Sequence, residues 1–381
     1  MNKKEILEIK KQFSPENSTI TRICSCYIDG EKNIKFKSKE AFHALAEEEA
    51  FKYHDIFKHT LSGTIGKNLL NMEFPLSCEE EDGNQNFLLK LRDSQLNDDA
   101  LIDAFYEKII NSYEYASNYY IILIHANYDI PGKSSDGTHM FDASDEVYEY
   151  LLCSICPVNL SKAGLSYNTE KNLMAERMRD WIVAAPLTGF LFPAFHDRGS
   201  DVHSVLYYSK NPEELQPSFI DHVLSSTLPL SASGQMETFQ AILSDTLGEH
   251  CNFDAIKSIH DTLNELMEEH KDEPDPLIVS KYEMRHILEE CEVGQDALDL
   301  LDEKYDSCVT NETPLLASNI THGKQFSIQT PDIIIKVNPE RTDLVETKII
   351  DGRQFLLIAV DSHLEVNGFT VNSPCEKGTA Q

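Results

Sequence analysis

Two apolar runs in this chain break open into titratable side chains. The first, Tyr119 to Ala126, carries His125 near its end and Asp129 just beyond, with Asp136, His139, Asp142 and Asp145 in the polar stretch that follows. The second starts at Trp181, stays uncharged to Phe195, and opens into His196, Asp197, Arg198, Asp201 and His203 before closing on Val205 to Tyr208. Imidazole and carboxylate groups are the usual ligands of a catalytic divalent ion, and a neighbouring guanidinium holds an anionic group through its forked donors. If the two runs are adjacent strands, His125, Asp129, His196 and His203 make the ligand set of a divalent metal. Asp197 and Arg198 then become the catalytic pair of a metal-dependent hydrolase, with phosphoesters a fitting substrate class. A plainer account uses the same residues. Asp129-Ile130-Pro131-Gly132 is ordinary turn chemistry, and Asp197 with Arg198 forms a structural ion pair at strand ends.

Other chemistry-bearing motifs read as structural. Cys24, Cys26, Cys153 and Cys156 contain the four thiolates of a zinc site, but alternate residues of a strand lie far apart for one ion, and Leu151, Leu152, Ile155 and Val158 surround the second pair. Buried free thiols are expected, with Cys24 and Cys26 far from Cys153 and Cys156. The segment Leu61–Asn68, LSGTIGKN, lacks both the first glycine and the Ser/Thr of a phosphate-binding loop and follows a helix, not a strand. Gly63 reads instead as a helix C-terminal residue. His286 to Tyr305 has helix-turn-helix spacing, but Asp296, Asp299, Asp302 and Glu303 give its second helix the wrong charge for a DNA groove.

Charge narrows the partners further. Against 64 acidic residues stand 33 basic ones, a net charge of −31 over 381 residues. Such an excess repels phosphate backbones and anionic membranes, so nucleic-acid and membrane binding are disfavoured, and a protein partner stays open. Lys3, Lys4, Lys10 and Lys11 sit beside Glu5 and Glu8 on one N-terminal helix and read as a solvated face. The lysine-bearing start has no apolar core of an export signal, and no uncharged window is long enough to span a membrane. With nine cysteines and no such signal, the expected location is the reducing cytoplasm.

These groups need a frame. Met1–Phe13 has an apolar stripe at Ile6, Ile9 and Phe13 that predicts a helix. Two β-rich runs joined at Asp29-Gly30 predict a hairpin with a tight turn. Helical spacing returns from Lys39 to Leu61, and Asn97 or Asp98 caps a helix carrying Ile102, Phe105 and Ile109. Tyr119–Ala126 and the apolar segment after Trp181 read as buried strands. From 1 to 210 the chain is expected to be a mixed α+β domain around a sheet. A helical region follows at 211–312, with Ser280 and Glu283 a capping box. Alternating strands with an Asp351-Gly352 turn then predict a small antiparallel β unit at 313–372, ahead of a frayed tail at 373–381.

Several phrases in order, TLSGTIGKNLLNMEFP from Thr60, CSICPV from Cys153, GFLFPAFHDR from Gly189 and IIDGRQFLLIAVD with VNGF, carry a resemblance. The chain resembles the bacterial domain-of-unknown-function family numbered 4317 from Met1 to about Val371. The resemblance implies a bacterial, cytoplasmic module and assigns no reaction, cofactor or catalytic residue to these positions. The sequence therefore favours a non-enzymatic interaction or regulatory protein of the α+β class, with the metal-dependent hydrolase as the alternative.

Overall fold

A computed structural model of the chain describes residues 1–133, 139–290, 293–310, 314–321, 325–360 and 364–371, with the side chains of 132–145, 249 and 290 outside that description. The chain divides into two compact units. The first comprises Met1–Gln235 with Glu273–Pro276 and 311–313, and the second the remainder from Met236 onward.

The first unit is an antiparallel sheet covered by helices on both faces. Helix α1 (Lys3–Lys10) is opened by Asn2, whose side chain accepts the Lys4 and Glu5 N–H groups while Glu5 answers the Asn2 N–H, a complete capping box. Strands β1 (Ile20–Ile28) and β2 (Ile34–Ala41) pair as the expected hairpin. Its turn is longer than the Asp29-Gly30 dipeptide suggests. Asp29 accepts the Glu31 and Asn33 N–H groups, and Lys32, not Gly30, takes the left-handed conformation at φ 65°. Helix α2 (Glu47–Thr60), β3 (Leu69–Glu73), α3 (Asn84–Asp93) and α4 (Asp99–Ser112) follow, with Asp98 capping α4 through the Ala100 and Leu101 N–H groups.

Two long strands, β4 (Tyr119–Lys133) and β5 (His139–Leu160), form the centre of the sheet. After β5 come the hairpin β6 (Leu165–Asn168) and β7 (Leu173–Glu176), then β8 (Trp181–Val183), β9 (Thr188–Phe192), the small hairpin β10 (Ala194–His196) and β11 (Gly199–Asp201), and β12 (Ser204–Ser209). The sheet order is β2-β1-β4-β5-β9-β12-β3, with β8 on the end of β5. Alternation along the strands divides the apolar residues between two cores. Ile121, Leu123, Cys153, Phe190 and Tyr207 face α3 and α4. Ile122, Ile124, Tyr150, Leu191 and Leu206 face α1 and α2. A short helix α5 (Pro217–Phe219), continued by a wider turn at Ile220–Leu224, closes the first core.

Gly189 shows how tightly β9 is held. A Cβ there would lie 2.4 Å from the Cys153 carbonyl oxygen and 2.6 Å from Thr60 Cγ2, so only glycine fits between β5 and α2.

The second unit packs α6 (Ala232–Leu247), α7 (Phe253–Glu269), α8 (Lys281–Glu290), α9 (Gln295–Cys308) and α10 (Ala317–Ile320) around Leu243, Ile259, Leu263, Ile287 and Leu301. The Ser280–Glu283 capping box is present, with Ser280 N–H donating to Glu283 Oε2 at 2.5 Å and Glu283 N–H to Ser280 Oγ at 3.3 Å. Three separate hairpins follow: β13–β14 (Phe326–Gln329, Ile334–Val337), β15–β16 (Val345–Ile350, Arg353–Ile358) and β17–β18 (Leu364–Val366, Phe369–Val371). Asp351 and Gly352 have φ of 50° and 76°, the two left-handed residues of a tight hairpin turn. The expected tail at 373–381 lies outside the described residues. The whole is an α+β protein with an antiparallel sheet.

Candidate functional site

The sheet separates the residues expected to share a metal. His125 pairs across strands with Arg22 on one side and Leu151 on the other. Its odd-numbered position puts it with Ile121 and Leu123 on the face covered by α3 and α4. The side chain is fully buried, its Nδ1 2.7 Å from the Thr21 hydroxyl and its Nε2 without a hydrogen-bond partner among the described residues. Burial, assisted by the Arg92 guanidinium, pulls its pKa from 6.5 down to about 4, so the imidazole is neutral. Asp129 follows on the same strand and is exposed.

His196, Asp197 and Arg198 are on the opposite side, against α1. His196 and Gly199 pair in the β10–β11 hairpin, and Asp197 and Arg198 are its two turn residues, with φ of 45° and 58°. Two consecutive left-handed residues are the signature of the tightest hairpin turn, normally built from Asn or Asp followed by Gly. Here α1 supplies the hold. Glu5 Oε1 accepts the Asp197 N–H at 2.8 Å and lies 3.6 Å from His196 Nδ1. Arg198 donates through Nη2 to the Pro131 carbonyl at 2.7 Å and reaches Glu8 Oε1 at 3.5 Å; that oxygen also accepts the Tyr128 hydroxyl at 2.7 Å.

Two expectations are corrected by this geometry. Arg198 pairs with Glu8 of α1, not with Asp197. Lys3, Lys4 and Lys11 are exposed, as expected of a solvated face, while Glu5 beside them packs inward at 9% exposure. The divalent-metal set of His125, Asp129, His196 and His203 does not converge, because the sheet stands between His125 and His196. His203 lies elsewhere, 2.9 Å from Glu79 Oε1. Among the described residues no three His, Cys, Asp or Glu side chains are grouped to hold an ion. Asp136 lies outside the described residues, as do the side chains of His139, Asp142 and Asp145.

The cysteines are likewise structural. Cys24 and Cys153 both flank Leu123, on the same face but two strands apart, about 10 Å by strand spacing. Their neighbourhood is closer than expected, yet too wide for one zinc ion. Cys156 faces the other core. Burial raises Cys24 and Cys26 to about 11 and pushes Cys153 and Cys156 up as well, so these thiols stay protonated and unreactive. All seven described cysteines are free. The Leu61–Asn68 segment leads from α2 into β3, without the strand-then-helix order that a phosphate loop needs, and Gly63 takes φ 121° just past the end of α2.

One further feature was not expected. Trp181 does not open a buried strand. Trp181, Ile182 and Val183 are 55%, 49% and 39% exposed on β8, which pairs with the end of β5. The preceding β6–β7 hairpin presents Leu165, Tyr167 and Met174 to solvent on one face, with Tyr167 directly opposite Met174. Met178 is 83% exposed between them and β8. The sequence signal was compositional: Tyr, Met, Trp and Arg gathered in a short segment, the residue types enriched in protein contacts.

A search of curated proteins finds no match to the chain. The family model described as Domain of unknown function (DUF4317) matches residues 1–369. The chain belongs to this family.

Proposed function

We propose that this protein is a non-enzymatic interaction module of the bacterial cytoplasm and that the β arm at 161–183 is its contact surface. The observation that carries the reading is the exposure of the arm's apolar face. A two-stranded hairpin has too little area to bury its own side chains, and the exposure of Leu165, Tyr167, Met174, Met178 and Trp181 within one short segment supports a protein contact there. The state of the titratable residues supports the same reading. Arg198 is engaged by Glu8 and the Pro131 carbonyl, and His125 is sealed in a core, so both serve the fold. The free thiols with raised pKa values agree with a reducing compartment.

The test is a photo-crosslinking residue, benzoylphenylalanine, placed at Met178 in cells and compared with the same residue at exposed Glu107. Irradiation should give a discrete adduct from position 178 and none from position 107. No adduct at 178, or equal yields at both sites, would remove the support for the arm as a contact surface.

A further inference from the structure

The arm's charge and open edge narrow the choice of partner. From 161 to 183 it carries Lys162, Lys171, Arg177 and Arg179 against Glu170, Glu176 and Asp180, one positive charge net in a chain of −31. Two copies of this chain, each of net charge −31, repel one another, and the repulsion is least at this near-neutral, apolar arm. The arm also carries both signs of charge on one short hairpin. A two-fold contact places residue i of one copy against j of the other and j against i, so a surface bearing Glu170 and Glu176 beside Lys171 and Arg177 complements itself. Among the described residues, none of these four side chains makes an ion pair within its own chain.

The backbone offers a matching edge. Among the described residues β8 pairs with β5 alone, at Val158, Asn159 and Leu160, so its other edge has no strand partner there. An exposed edge strand with apolar side chains is a template for antiparallel pairing with another strand, and the three residues of β8 limit that pairing to a few bonds. Hydrogen bonds close the base of the arm beside β8. Arg179 Nε donates to the Ser161 carbonyl at 2.7 Å, and Ser161 N–H donates to the Asp180 carbonyl at 2.8 Å.

Resting on the interaction reading above, we propose that the arm's partner is a second copy of this chain, joined through an isologous contact of the two 161–183 arms with Met178 and Trp181 at its centre. Burial of the exposed apolar faces drives the contact, and the mixed charges set its two-fold register.

Sedimentation velocity of the purified full chain over rising concentration tests this, with Met178→Asp and Trp181→Ala as variants. Both side chains are more than half exposed, so neither substitution threatens the core. Wild type should form a concentration-dependent dimer, and each variant should weaken association at least about tenfold, as for the central residue of an interface. Added salt should tighten the dimer, because screening removes repulsion between the two acidic bodies. The chain's single tryptophan should shift its emission to shorter wavelength as wild type dimerises. A wild type monomeric into the high micromolar range, or a dimer unaffected by both substitutions, overturns the proposal. The crosslink at Met178 separates it from the broader reading. An adduct of twice the chain's mass is expected; an adduct of another mass keeps the interaction reading and overturns the second copy; no adduct defeats both.

Discussion

Glu5 Oε1 accepts the backbone N–H of Asp197 at 2.8 Å, so the carboxylate that caps helix α1 also fastens the β10–β11 turn. Its second oxygen, Oε2, takes the Asn2 N–H at 2.7 Å. A nearly buried carboxylate that accepts two backbone donors contributes more than a surface charge, since each donor would otherwise be left short of a partner. Glu5→Ala is expected to lower the stability of the first unit by about 3 kcal/mol, the sum of a lost cap and a lost charged hydrogen bond. Glu5→Gln keeps one acceptor oxygen and should lose only about 1 kcal/mol. Urea unfolding followed by circular dichroism reads the difference. Equal stability of wild type and Glu5→Ala would show that the turn does not depend on α1.

Arg198 presents an inverted glycine rule. At φ 58° a residue with a Cβ is strained, and glycine is not. Both Arg198→Ala and Arg198→Gly lose the bond to the Pro131 carbonyl and the approach to Glu8, so their difference isolates the backbone. Arg198→Gly should be more stable than Arg198→Ala by about 1 kcal/mol, the reverse of the usual order in regular structure. Thermal melts of the two variants side by side measure it. Alanine equal to or better than glycine would mean that the turn is not left-handed in solution.

The sequence made the elements legible where a periodic pattern or a cap acts locally. Asn2 and Asp98 open helices, Ser280 and Glu283 close a capping box, and Asp351-Gly352 turns a hairpin, because each works through neighbours in the chain. The candidate site was legible only as a list of reactive side chains. Whether His125 and His196 meet depends on which face of the sheet each occupies, and that is set by register between strands far apart in sequence. The hairpin turn at Asp197-Arg198 was hidden for a related reason. Its left-handed conformation is stabilised from α1, more than 180 residues away, and not by a local glycine. Trp181 misled through composition alone: an uncharged run looks the same whether its strand is buried or exposed.

Gly189 tests the packing of the sheet against α2. Adding one methyl brings a Cβ within 2.4 Å of a backbone oxygen and 2.6 Å of the Thr60 methyl, and the backbone contact has no flexible end to move aside. The Thr60 hydroxyl is also bonded to Ser154 at 2.7 Å, which holds α2 in place. Gly189→Ala should therefore cost about 3 kcal/mol, at the upper end for an overpacked core. Pairing it with Thr60→Ser, which removes the obstructing methyl and keeps the hydroxyl, should recover part of that loss. A double-mutant cycle from denaturant unfolding gives the coupling; strict additivity would argue against the contact.

His125 makes stability depend on pH in a defined window. Its imidazole titrates near 6.5 in the unfolded chain and at about 4 in the folded one, with burial the main cause. Above pH 6.5 both states hold it neutral and its contribution is complete. As pH falls from 6.5 toward 4, the unfolded chain takes up a proton that the folded chain refuses, so unfolding becomes easier. The loss should approach about 3 kcal/mol at the lower limit, at about 1.4 kcal/mol for each pH unit. His125→Gln leaves an uncharged polar group at the same place, and the other histidines cancel in the comparison. The difference in unfolding free energy between wild type and His125→Gln should therefore drift against the wild type across this window and level off below pH 4. Urea titrations at a series of pH values check it, and a constant difference from pH 7 to pH 4 would mean that His125 titrates normally and is open to water.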